Sequence, residues 1–217
     1  MPKVEQVSRK ELKSRFKTGN ECFQAQSEPS DFTLFDYWQW SGSDLLSNTQ
    51  RGIIAEFLVA KALGVADSPR LEWGSYDLAT ATGQKIEVKC ASYHQSWSQE
   101  RPSAIRFNIS PAKWLWDPNT NTSTYHEIPV RTSDAYVFCL LGSLEHSEPD
   151  PLDLDQWTFY VISRDDLESD CRVKSQKTIG INPLKILVKQ VTGRCEVGYS
   201  DLRSVIEQIL CAEVGPT

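Results

Sequence analysis

The sequence contains no apolar run approaching the roughly 18 uncharged residues that a membrane-spanning helix requires. Its opening stretch carries Lys3, Lys10, Lys13, Arg15 and Lys17 without the apolar segment of a secretory signal, so a cytoplasmic protein with no membrane partner is expected. Cysteines are present but never closely paired: Cys22, Cys90, Cys139, Cys171, Cys195 and Cys211 lie singly, with no CxxC. That spacing argues against a zinc ribbon and against a compact disulfide framework. Cys90 and His94 are near neighbours, but a zinc site needs a second ligand pair that the sequence does not offer. Basic residues are not in excess either, since 23 Lys and Arg face 29 Asp and Glu for a formal net charge of -6. Coating of nucleic acid without regard to sequence depends on clustered cations, so that function class is disfavoured, although a local basic cleft is not. Internal repeats and low-complexity segments are absent.

What is present suits one main domain: 217 residues with 40% hydrophobic content can bury a sizeable core. Residues 1–46 form an accessory segment in this reading, and residues 47–217 the main domain. In the first, Ser8 with Glu11 makes a capping box ahead of Leu12 and Phe16, which predicts a helix. Residues 32–40 then bring Phe32, Phe35, Tyr37, Trp38 and Trp40 together, either as a clasp packed on the core or as a base-stacking or partner surface. In the second, a helix is predicted over Asn48–Leu63, capped by Ser47 or Asn48 and ended by Gly64. Winding it at about 100° per residue groups Gly52, Val59, Ala60 and Leu63 around Glu56 and places Gln50 and Lys61 on another arc. Glu56 therefore faces inward. A buried carboxylate is costly unless it is paired, hydrogen-bonded or bound to a cation.

Residues 76–80 and 84–91 read as two strands of a hairpin whose turn contains Gly83. Residues 105–109 make a further strand, and Ser110-Pro111 predicts an N-cap and first-turn proline opening a short helix through Trp114. The apolar runs 134–141 and Trp157–Ser163 are expected core strands, separated by an acidic, proline-bearing loop. After Ser200, the spacing of Leu202, Val205, Ile206, Ile209 and Leu210 predicts an amphipathic helix lying on a sheet. The class is α/β.

Residues two apart on a strand share a face, so Glu87 and Lys89 stand together while Ile86, Val88 and Cys90 face the core. A three-residue turn centred near Thr82 would put Asp77 opposite Glu87, bringing two carboxylates within reach of one small cation. Ligation by oxygen alone suits Mg²⁺ or Mn²⁺ rather than zinc. Such an ion is useful at a phosphodiester, where it offsets the charge that builds as phosphorus is attacked. Lys89 could orient the attacking water and stabilise that charge, and Glu56 could bind a second ion or an outer-shell water.

Glu56 on a helix, then Asp77, nine residues, and Glu87-Val88-Lys89 resembles the signature of the PD-(D/E)XK, or restriction-endonuclease-like, superfamily. The segments from Arg51-Gly52 to Gly64 and Ile86-Glu87-Val88-Lys89-Cys90 are also similar to small bacterial proteins assigned to it. One departure is Tyr76, where the signature has proline before the aspartate. The resemblance implies a central mixed sheet flanked by helices and a Mg²⁺-dependent nuclease, with Mn²⁺ able to substitute, that hydrolyses nucleic-acid phosphodiester bonds; an endonuclease on DNA is the expected form, while the scaffold leaves RNA and cleavage from an end open. It implies Asp77, Glu87 and Glu56 as metal ligands and Lys89 as the residue assisting the nucleophilic water. Some families place a supporting glutamine after the lysine; Gln95 is the match here, with a plain polar loop residue as the alternative. His94 reads as a proton carrier or a structural histidine, and Arg101, Arg106 and Lys113 as phosphate contacts or a solvated face. A catalytically silent module that keeps the fold to bind nucleic acid or a protein is the second reading. Two-fold dimers suit double-strand cutting, and residues 32–40 offer a contact for a second copy or a targeting partner.

Overall fold

The computed structural model describes residues 14–72, 74–117, 122–142, 144–145 and 148–213. Its centre is strand β8 (Ala135–Leu141), every residue of which is buried. A strand covered on both faces reads as a continuous apolar run, which is the character of Ala-Tyr-Val-Phe-Cys-Leu-Leu here. On one side β8 pairs in parallel with β4 (Lys85–Ser92), and on the other it pairs antiparallel with β9 (Trp157–Ser163). Strand β3 (Leu78–Ala79) adds to the far edge of β4 in antiparallel fashion, so the mixed sheet runs β3-β4-β8-β9.

Helices cover this sheet, and alternation along the strands sorts the side chains into two cores. Ile86, Val88, Val137, Cys139, Phe159 and Val161 lie under helices α2 (Asn48–Leu63) and α5 (Tyr199–Glu213). On the opposite face Phe138, Leu140, Tyr160 and Ile162 lie under α4 (Ile181–Thr192) and the short pair β5 (Arg106–Asn108) and β10 (Thr178–Gly180). Helix α3 (Arg164–Ser169) adds Leu167 to that second core. The protein is thus a mixed α/β structure with helices on both faces of a mixed sheet. No helix among the described residues is long and apolar enough to cross a membrane.

Helix α2 keeps its predicted ends. Ser47 accepts a hydrogen bond from the Gln50 amide, and Gly64 closes the helix in the left-handed conformation at φ 73°, where a side chain would meet its own backbone. Two expectations fail. Residues 110–114 form no helix: Ala112–Asp117 is strand β6, paired antiparallel with β7 (Thr122–Val130). The Ser110 hydroxyl donates to the Lys177 carbonyl, the Ser110 amide is held by Asn108, and Trp114-Leu115-Trp116 has the aromatic character that a pleated surface favours. Nor do residues 32–40 make a clasp packed on the core. They end β2 (Glu28–Thr33), the partner of β1 (Cys22–Ala25), and then form α1 (Leu34–Gly42), which has no buried residue and leaves Trp40 85% exposed. The helix owes its start instead to a local capping box between Thr33 and Asp36. Of the helix predicted from Ser8 and Glu11, residues 8–13 lie outside the described residues, and Phe16, which is described, is exposed and in no helix.

Candidate active site

The β3–β4 hairpin places the acidic residues. Leu78 pairs with Ile86 and Ala79 with Lys85, and the Gly83 amide closes the turn on the Thr80 carbonyl. At Asp77 the ladder changes: its amide donates to the Ile86 carbonyl, while its carboxylate Oδ2, 2.7 Å away, accepts the Val88 amide in place of a backbone oxygen. The Asp77 carboxyl is thereby fixed to the edge of the strand that carries Glu87 and Lys89. Burial, first, and the charge of Glu87, second, push it up to about 6, with Lys89 and the Val88 amide pulling the other way and Glu56 adding to the rise. The group senses Glu87, Lys89 and Glu56 alike, three of the residues singled out by the sequence.

Glu87 and Lys89 project from the same face of β4 and form an ion pair. The second Glu87 oxygen accepts a hydrogen bond from the Ser133 hydroxyl at 3.3 Å. Both side chains open into a cleft of about 490 Å³ lined also by Glu72, Ser133, Tyr136, Trp114 and Trp116. Tyr136 keeps its proton well beyond the ordinary phenol range, because it is buried and because Glu87 is near. Asp77 and Glu56 do not line this cleft; Asp77 is held to the Val88 amide and Glu56 to Arg70.

Glu56 is mostly buried on α2, as its helical position predicts, and its charge is answered by a residue that the sequence did not flag. Arg70 grips it in a two-pronged bond, Nε to Oε2 at 2.5 Å and Nη2 to Oε1 at 2.8 Å. This fork matches the planar carboxylate, and it holds the Arg70 guanidinium above its already high range. Arg70 also feels Asp77 and Glu72, so it is a fixed positive charge beside the acidic group. The only local signal was its place in the loop after α2, which gives no hint of a partner 14 residues back.

Gln95 is brought elsewhere. Its Oε1 accepts from Arg51 at 3.1 Å, and its Nε2 donates to the Ser92 carbonyl and the Ser103 hydroxyl. Arg51 is buried and otherwise donates to the Leu46 carbonyl and the Asn48 side chain. Gln95 therefore ties the loop after β4 to the start of α2, and its amide is fully used there. Arg101, Arg106 and Lys113 are exposed. Among the described residues no three His, Cys, Asp or Glu side chains converge as a ready-made metal cage. What fits a cation is chemical: two carboxylates across one hairpin, one of them, Asp77, holding its proton abnormally tightly because it is buried first and because Glu87 is negative second.

In comparisons with known proteins, no family model and no curated protein matches this chain.

Proposed function

We propose that this protein is a metal-dependent nuclease with a restriction-endonuclease-like core, which hydrolyses phosphodiester bonds in nucleic acid at a centre made by Asp77, Glu87 and Lys89. One observation carries the reading: Asp77 and Glu87 repel each other across the β3–β4 hairpin while Lys89 stands beside Glu87 at the mouth of a cleft. The order helix, hairpin, mixed sheet, with a glutamate on the helix, supports the same reading. Asp77 and Glu87 would hold a Mg²⁺ or Mn²⁺ ion. When bound, the cation supplies electrophilic stabilisation for the charge that grows on the phosphoryl oxygens.

The chain's own groups do the rest. Lys89 carries a positive charge into the cleft, where it stabilises the anionic phosphoryl group and orients the attacking water. Glu87 holds that ammonium in place by its ion pair, and Ser133 holds Glu87. Glu56, fixed by Arg70, does not line the cleft and touches the centre only through its charge, which adds to the rise at Asp77. Water adds to phosphorus and gives up a proton to the solvent, the P–O ester bond breaks, and the departing oxygen takes up a proton from the solvent.

The second reading, a silent module with the same core, draws on a specific feature: Glu56 and Glu87 already have internal cations in Arg70 and Lys89. Metal binding separates the two. Calorimetric titration with Mn²⁺ or Mg²⁺ is expected to show one weak site in the wild type, lost in Glu87→Gln and in Asp77→Asn. A folded wild type that takes up neither ion would favour the silent module.

A further inference from the structure

The cleft that receives Glu87 and Lys89 is walled on one side by the β6–β7 hairpin. Trp114 and Trp116 are two residues apart on β6, so both belong to the same face of the strand, and both line the cleft with the acidic pair. Trp114 is 67% exposed, and its ring rests against Tyr125 of β7 with centroids 5.0 Å apart. A large aromatic side chain left open to water next to a reaction centre calls for an occupant. Building on the hydrolytic reading above, we propose that this wall stacks unpaired bases, so that the substrate is single-stranded nucleic acid, DNA or RNA, rather than a duplex.

Two physical arguments favour the single strand. Bases in a duplex stack on one another and offer only their edges, whereas an unpaired base presents a face that an indole can cover. A duplex is also gripped chiefly through its phosphates by free Lys and Arg side chains. The lining of this cleft is poor in them. Lys89 is paired with Glu87. Arg131 is buried and spends its donors on the carbonyls of Ile109, Lys174 and Gln176. The whole chain carries a net charge of -6. Beyond the contact of Lys89 and the cation with one phosphoryl group, stacking is the attraction that this lining offers, and it requires unpaired bases.

The test is fluorescence anisotropy with labelled twelve-residue oligo(dT), oligo(U) and a blunt duplex. It is run on the wild type in chelator and on Lys89→Ala in Mg²⁺, each with and without Trp114→Ala, Trp114→Phe or Trp116→Ala. The proposal expects a single strand to bind at least tenfold more tightly than the duplex, a loss of about tenfold in Trp114→Ala, and retention in Trp114→Phe. Oligo(dT) against oligo(U) tells DNA from RNA. Trp114 is exposed, so its variants keep the fold even if Trp116→Ala does not. The proposal is overturned if the duplex binds as tightly as the single strand, if Trp114→Ala leaves single-strand binding unchanged, or if folded protein binds none of the three. A Trp114-dependent preference for single strands without any metal-dependent cleavage would sink the hydrolytic reading and leave the stacking wall standing. Metal-dependent cleavage of duplex and single strand alike, indifferent to Trp114, would do the reverse.

Discussion

Lys89→Ala is expected to cut the rate of metal-dependent strand cleavage by about 10²- to 10³-fold while leaving the protein folded. Removing one well-placed group that stabilises charge in the transition state typically costs that much. Some stability is also lost, because the Lys89–Glu87 pair is only partly open to solvent and Lys89 offsets the charge of Asp77 as well. The catalytic loss should appear in kcat, with far-ultraviolet circular dichroism unchanged and the melting transition lowered but still cooperative. A Lys89→Ala protein that cleaves at the wild-type rate would remove Lys89 from the mechanism.

The second large effect is a gain. Asp77 holds its proton up to about pH 6 in the folded chain, against 3.8 as its ordinary value. Between those values the folded state binds the extra proton, so stability falls as pH rises from about 4 to about 6 and stays lower above that. Asp77→Asn removes the repelled charge while keeping an Oδ1 that can accept the Val88 amide. In chelator it should be more stable than the wild type by about 1–3 kcal/mol at pH 8, with the difference vanishing below pH 4, and it should be unable to bind metal. Denaturant midpoints measured at pH 8, 6 and 4 give the curve. Destabilisation at pH 8 would mean that the carboxylate is held by favourable contacts and is no strained cation site.

The parts of this structure that were legible in the sequence are those where a local pattern and burial agree. Helix α2 runs over the predicted Asn48–Leu63 because its apolar stripe, its Ser47 cap and its Gly64 stop all coincide. Strands β8 and β9 announced themselves as apolar runs, and the three-residue turn centred on Thr82 set the register that carries Asp77 toward Glu87. Failure came where long-range pairing decides. Ser110-Pro111 looked like a helix start only until the Lys177 carbonyl, 67 residues away, claimed the serine hydroxyl and β7 offered β6 a partner. The aromatic residues 32–40 promised burial by composition alone, yet a hairpin and a self-capped helix can form from local contacts without a core.

The same division holds at the site. The spacing of Asp77, Glu87 and Lys89 could be read from the strand period, whereas Arg70, Ser133 and the Trp114–Trp116 wall arrive from loops and from another hairpin. Gln95 lies close in sequence to the centre but is drawn off by Arg51. Its order along the chain matched the pattern; the partners that it meets were set by the packing of α2.

The most direct test is incubation of the wild-type protein with single-stranded DNA, single-stranded RNA and supercoiled plasmid, in Mg²⁺, in Mn²⁺ and in excess chelator. Cleavage of at least one substrate with either ion, abolished by chelator and restored when the ion is returned, is the predicted result. Folded protein that cuts none of them under any condition, or that cuts equally well in chelator, would contradict the assignment of Asp77, Glu87 and Lys89 as a metal-dependent phosphodiesterase centre.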